Sequence, residues 1–375
     1  MIINNVKIVT LTKVIDNGYI EFADGKITKI GESSYQGPGE TIDRKGMVAF
    51  PGFIDVHIHG SMGIDFMDAN AEDYSIIADS LYAEGVTTFL ATTLTSDKDS
   101  LARVCKTVKE VKEQIPSLGG IHFEGPYISL KYKGAQNPDF IRDPDIAEFD
   151  ELQEISGGNI RYIAMAPERP GAMEFINHVT RNGVVVSAGH TDASFDQVGE
   201  AIKNGLTNTT HTHNAMSPHH HRNPGVVTAA MYFDEIFAEV ICDTVHVCPN
   251  TLKAFYKIVG PDRFVAITDA LKVKHSDIKN FQLFGLDCVT KEDAAYLTTG
   301  PLAGSLLTMD QGLRNLREIT GADYVSLAKM TSYNAAKSLH FDDRGELAEG
   351  KLADVVLLDE SLHVQEVYKL GKRVK

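Results

Sequence analysis

The chain has 375 residues, 43% hydrophobic and 23% charged, which fits a globular protein with room for one large domain and a small one. Lys and Arg number 36 against 51 Asp and Glu, and the formal net charge of −15 argues against nucleic acid and anionic membrane surfaces as partners. Cys105, Cys242, Cys248 and Cys288 form no Cys-x-x-Cys pair, the start shows no basic segment followed by an apolar one, and no apolar run approaches about 18 residues, so the expected compartment is the cytoplasm.

Residues 1–50 read as short strands at Val6–Leu11, Gly18–Phe22, Lys26–Gly31 and Thr41–Val48, with hairpin signals at Asp16-Asn17-Gly18 and Ala23-Asp24-Gly25. From Pro51 the texture changes. Strand-like runs at Phe53–His59, Thr87–Thr92, Gly120–Glu124, Tyr162–Ala166, Val184–His190, Asn208–His211, Phe237–Asp243 and Phe264–Asp269 are separated mostly by amphipathic stretches. Those stretches include Ala71–Glu84, Ser100–Gln114, Ala172–Arg181, Phe195–Asn204 and Asn250–Val259. Eight such runs predict an α/β protein built on a (β/α)8 TIM barrel. A doubly wound open sheet competes, but no Gly-x-Gly-x-x-Gly follows an early strand. A strand-rich insertion occupies 272–299, and helical segments come next at Ser305–Ile319 and Tyr324–Leu339. The tail from Gly345 returns to strand texture. We expect residues 1–50 and 346–375 to form a small β-sandwich domain beside a barrel of residues 51–345.

The first barrel run carries the densest chemical signal. Side chains alternate along a strand, so Asp55, His57 and His59 share one face and Ile54, Val56 and Ile58 the other, which suits a layer of helices behind the sheet. Two neutral imidazoles at i and i+2 can grip one metal ion. In a (β/α)8 barrel the active site lies at the carboxyl ends of the strands. There the third run ends in Glu124, the fifth in His190, the sixth in His211 and the eighth in Asp269. Each alone has an ordinary explanation, a cap or a turn. Together they are hard to explain by packing, because burying so many polar groups costs several kcal/mol unless they are paired or metal-bound. Histidines with carboxylates form a donor set of borderline softness, suited to a divalent Zn or Fe ion.

Pro51-Gly52-Phe53-Ile54-Asp55-Val56-His57-Ile58-His59-Gly60 resembles the entry motif of the amidohydrolase superfamily, and the tail Gly345–Asp359 resembles its closing β segment. Closer still, His122-Phe-Glu-Gly-Pro126, Gly189-His-Thr-Asp192, His211 with Asn214-Ala-Met216, Asp243 to His246 and Leu302-Ala-Gly-Ser305 resemble the N-acetylglucosamine-6-phosphate deacetylase family, in the same order and through nearly the whole chain. The resemblance implies that Glu124, His190 and His211 hold a principal metal, that His57 and His59 supply a second, with one or two ions per subunit, and that Asp269 is general base and acid. The fourth run, Tyr162–Glu168, has no lysine, which sets the chain apart from branches that bridge two metals with a carboxylated lysine.

The implied reaction is metal-dependent hydrolysis of an N-acetyl amino-sugar phosphate, with a cation polarising the amide and lowering the pKa of water to about 7. The resemblance further implies substrate contacts from Ala135, Gln136, Leu302, Ala303 and Gly304, from the backbone at Asn214 and Ala215, and from Asp243. Arg222 and His246 would be the cationic contacts to phosphate in a homodimer, with their own subunit's site and the neighbouring subunit's both left open. Gln136 departs from relatives that carry a histidine beside the acyl group, so carbonyl polarisation is not assigned to it. His219-His220-His221 reads as a polar loop near the phosphate end. Two rivals stay open: a sibling deacylating N-acetylgalactosamine 6-phosphate or an N-acyl-D-amino acid, and a scaffold without catalysis, disfavoured because every expected ligand is present.

Overall fold

The computed structural model describes residues 1–292 and 294–375. Eight parallel strands form the expected barrel: β1 (Phe53–Ile58), β2 (Val86–Thr92), β3 (Leu118–Glu124), β4 (Ile160–Met165), β5 (Val185–Ala188), β6 (Asn208–Thr209), β7 (Phe237–Ile241) and β8 (Phe264–Ile267). Each pairs with the next in sequence from β1 to β8. The ring closes just past β8, where Asp269 N–H donates to His57 O (2.8 Å) and His59 N–H to Ala270 O (2.9 Å). That closing register sets Asp269 beside the two first-strand histidines.

Helices at Asp73–Tyr82, Lys98–Val111, Ala172–Arg181, Phe195–Lys203 and Pro249–Val259 fall within a few residues of expectation. Their starts follow local chemistry. The Asp97 carboxylate accepts from Ser100 N–H, and Ser194 with Gln197 makes a reciprocal capping box. Ile54 and Val56 pack in one buried cluster with Leu90, Tyr162, Ile241 and Ile267, while Ile58 joins the main core; a register irregularity between Asp55 and Ile58 splits the single apolar face expected of β1.

Several elements differ from the sequence reading. Helices Ile146–Ile155 and Val226–Tyr232 are not among the expected ones. The segment from Tyr324 is broken into Tyr324–Ala328, a π turn over Lys329–Tyr333, and Asn334–Ser338. In that turn the Thr331 hydroxyl donates to Leu327 O, four residues back (2.9 Å). The insertion folds as four antiparallel strands (Asn280–Leu283, Leu286–Lys291, Ala294–Leu297, Leu302–Ser305), so the next helix begins at Met309 and not at Ser305.

The two ends of the chain share one sheet. Ile2–Val9, Val14–Ala23, Lys26–Gly31, Thr41–Asp43 and Val48–Pro51 join Val355–Leu358, Val364–Lys369 and Lys372–Arg373. Its hydrogen bonding is continuous, and it wraps its own core of Ile3, Val6, Ile8, Ile20, Phe22, Val355, Leu357 and Tyr368. Among the described residues no helix is long and apolar enough to cross a membrane.

Candidate active site at the barrel mouth

The strand-end residues converge. Glu124 closes β3, His57 lies on β1 with His59 one residue past it, His190 and His211 follow β5 and β6, and Asp269 follows β8. His190, His211 and Asp269 have positive φ (48°, 32° and 49°), a backbone region that L-residues occupy at a cost and that clusters at functional sites. The chain turns away at each of them as the strand ends, and the side chain stays over the barrel axis.

Two groups of three result, His57 with His59 and Asp269, and Glu124 with His190 and His211, the donor atoms of each lying within 4.8 Å of one another. His190 Nε2 and His211 Nε2 stand 3.0 and 3.1 Å from Glu124 Oε1, and 3.1 Å from each other. His57 Nε2 lies 3.3 Å from the same oxygen and 3.4 Å from Asp269 Oδ1. His59 Nε2 lies 3.4 Å from Glu124 Oε2 and 3.3 Å from Asp269 Oδ1. Glu124 therefore stands between the groups, one oxygen toward three imidazoles and the other toward His59.

These residues fit a divalent ion. Two donors at about 2.1 Å from one tetrahedral centre are about 3.4 Å apart, close to the separations seen here. His190 donates Nδ1–H to Tyr132 O (3.0 Å), which leaves its Nε2 lone pair free to ligate. His57 Nε2 is fully buried without a hydrogen-bond partner, an orphan that a cation would satisfy.

The carboxylates dominate the electrostatics and draw positive charge toward His57 and His59. Burial would lower the His57 pKa, but Asp269 and Glu124 outweigh it and hold the value well above the ordinary one. Burial would raise Glu124, yet His57 and His190 keep it well below the usual carboxylate range. Asp269 is lowered likewise: burial opposes, and His57 and His59 prevail. For His211 burial dominates and the value falls, favouring the neutral ligating form.

His59, Glu124, His190, His211 and Asp269 form the floor of a cavity of about 300 Å³, with His57 buried beneath it. Ala135, Gln136, Asn214, Ala215, His246, Leu302, Ala303 and Gly304 all line it, with the antiparallel insertion supplying the last three. Gln136 is occupied. Its amide donates a short hydrogen bond to Glu124 Oε2, and its oxygen accepts from Thr95 N–H (2.8 Å). Asp243 lies outside the lining, with its Oδ2 2.6 Å from His246 Nδ1. Arg222 is exposed beside His221 and does not reach the cavity of its own chain.

Lys131, Tyr132 and Glu239 are among the contributors that the sequence reading missed. Lys131 and Tyr132 line the cavity from the loop after β3 and carry no pattern that would single them out. Glu239, fully buried on β7, has its Oε2 3.5 Å from His57 Nδ1. A signal existed for it: an acid between Ala238 and Val240 at the inward register of a barrel strand.

Comparison with known proteins agrees with this geometry. The amidohydrolase family model matches residues 48–374. The N-acetylglucosamine-6-phosphate deacetylase of Lysinibacillus sphaericus is 38% identical, over 99% of this chain and 97% of its own. The N-acetylgalactosamine-6-phosphate deacetylase of Escherichia coli O157:H7 is 32% identical, over 96% and 95%. Among solved structures, a mutant N-acetyl-D-glucosamine-6-phosphate deacetylase from Mycobacterium smegmatis, in complex with N-acetyl-D-glucosamine-6-phosphate, superposes with a TM-score of 0.95 at 31% identity, covering 100% of this chain and 99% of that one. By its matched length, its relatives and its barrel, this chain belongs to the amidohydrolase family.

Proposed function

We propose that this chain hydrolyses the acetamide of N-acetyl-D-glucosamine 6-phosphate to D-glucosamine 6-phosphate and acetate, in amino-sugar breakdown and recycling. The observation that carries this reading is the pair of three-residue donor groups, with Glu124 between them, at the floor of a cavity sized for one small sugar phosphate. The relatives of known substrate support the amino-sugar phosphate as the molecule bound.

In this reading Glu124, His190 and His211 would hold a principal divalent ion, Zn or Fe, and His57 and His59 would hold a second, with Glu124 standing between the two groups. Such an ion polarises the acetyl carbonyl and makes water acidic enough to deprotonate near neutral pH. Asp269, held as a carboxylate, has Oδ1 against His57 and His59, which leaves Oδ2 to take the proton of the attacking water and return one to the departing amine. His246, whose charged form Asp243 favours against the effect of burial, meets the phosphate with the backbone at Asn214 and Ala215. Gln136 holds Glu124 in place and leaves carbonyl polarisation to the cation. Ala135 and Leu302–Gly304 shape the wall around the sugar.

The same reading makes the enzyme a cytoplasmic homodimer in which Arg222 completes the phosphate site of the partner subunit. Residues 1–50 with 346–375, and 51–345, are its two domains. N-acetylgalactosamine 6-phosphate is the second reading, favoured by the relative that acts on it.

The test is acetate release from phosphorylated and unphosphorylated N-acetyl hexosamines, with elemental analysis of the same preparation. Fastest turnover on N-acetylglucosamine 6-phosphate is expected. Preference for the galacto epimer selects the second reading, and indifference to the phosphate overturns both.

A further inference from the structure

We infer that Glu239 is a positioning residue for the second metal site: it accepts Nδ1–H of His57 and so presents Nε2 to the ion. This role rests on the metal-dependent reading of the site.

Glu239 is fully buried on β7, where Ala238 and Val240 face the outer core and Glu239 faces the barrel interior. Its Oε1 is held by the Tyr162 hydroxyl of β4. Its Oε2 has no hydrogen-bond partner and lies 3.5 Å from His57 Nδ1, which is equally buried and equally without one. Two complementary orphans facing one another at the edge of hydrogen-bond range are a pair that a small ring movement closes. Histidines that ligate metals commonly donate their other N–H to a carboxylate or carbonyl, which fixes the tautomer. His190 follows that rule through Tyr132 O, and His57 has Glu239 in the equivalent place.

Calorimetric titration of the metal-free chain with Zn²⁺ tests this, alongside ¹⁵N NMR of the histidine rings in the loaded protein. The wild type should take two ions, with His57 protonated at Nδ1. Glu239→Gln should bind the first ion as the wild type does and the second about 10- to 100-fold more weakly. Tyr162→Phe, a milder change that spares the carboxylate, should weaken the second ion in the same direction. Adding Glu239→Gln to His57→Asn should cost nothing further. Isotherms that superpose on the wild type, equal weakening of both ions, or a single ion in the wild type would overturn the assignment. The titration reads no acetate: a chain with these isotherms but no deacetylation keeps the Glu239–His57 pair and refutes the reaction, while deacetylation with unchanged isotherms does the reverse.

Discussion

At the scale of residues, function depends on what each titratable group is held ready to do. Asp269 stays ionised because His57 and His59 outweigh its burial. Asp269→Asn is expected to keep its metal by elemental analysis and to lose turnover by on the order of 10²–10⁴. Retention of more than a tenth of wild-type turnover contradicts the role. His246 supplies a second prediction. Burial would lower its pKa, but Asp243 raises it above the ordinary imidazole value of about 6.5. A raised folded value means that the charged pair is complete below about 6.5 and is lost as pH climbs through the raised value. KM for the phosphorylated substrate should be flat at low pH and increase beyond that point. Asp243→Asn should move the increase to lower pH, and KM-pH profiles that coincide refute the phosphate role of His246. Asp55 shows how a shared face can mislead. It alternates with His57 and His59, yet its carboxylate accepts from the Thr268 hydroxyl at 2.6 Å and fastens β1 to the end of β8.

At the scale of elements, the site is made by where strands stop. Most of it is legible in the sequence because alternation places every second side chain inward and the barrel gathers strand ends at one mouth. His57, His59, Glu124, His190, His211 and Asp269 can all be read that way. The parts that are not legible lack a period or a local signal: the seven-residue helix Val226–Tyr232, the π turn after Ala328, and cavity residues such as Lys131 whose placement depends on a loop. The β5 end offers a sharp test. A Cβ on Gly189 would lie 2.7 Å from the buried Thr210 Cβ, so Gly189→Ala must push the β5 end, and His190 with it, off its place. It is expected to lower both thermal stability and Zn²⁺ affinity. Ser194→Ala, which removes only a helix cap, should cost about 1 kcal/mol by denaturant titration and leave Zn²⁺ affinity unchanged. Equal Zn²⁺ affinity in the two variants contradicts this placement of His190.

At the scale of the whole molecule, a ligand that binds only the folded chain stabilises it by mass action. An ion at a thousandfold excess over its Kd contributes on the order of 4 kcal/mol. Chelation should therefore lower the melting temperature and abolish acetate release together, and one added divalent ion should restore both. A melting temperature indifferent to chelator contradicts a site built from buried ligands out of β1, β3, β5, β6 and β8. The most direct measurement is an anomalous difference map, recorded at the absorption edge of the metal found in active enzyme. A shared metal centre requires a peak about 2.0–2.2 Å from one Glu124 oxygen and from Nε2 of both His190 and His211. Active crystals with no peak at that point would contradict it.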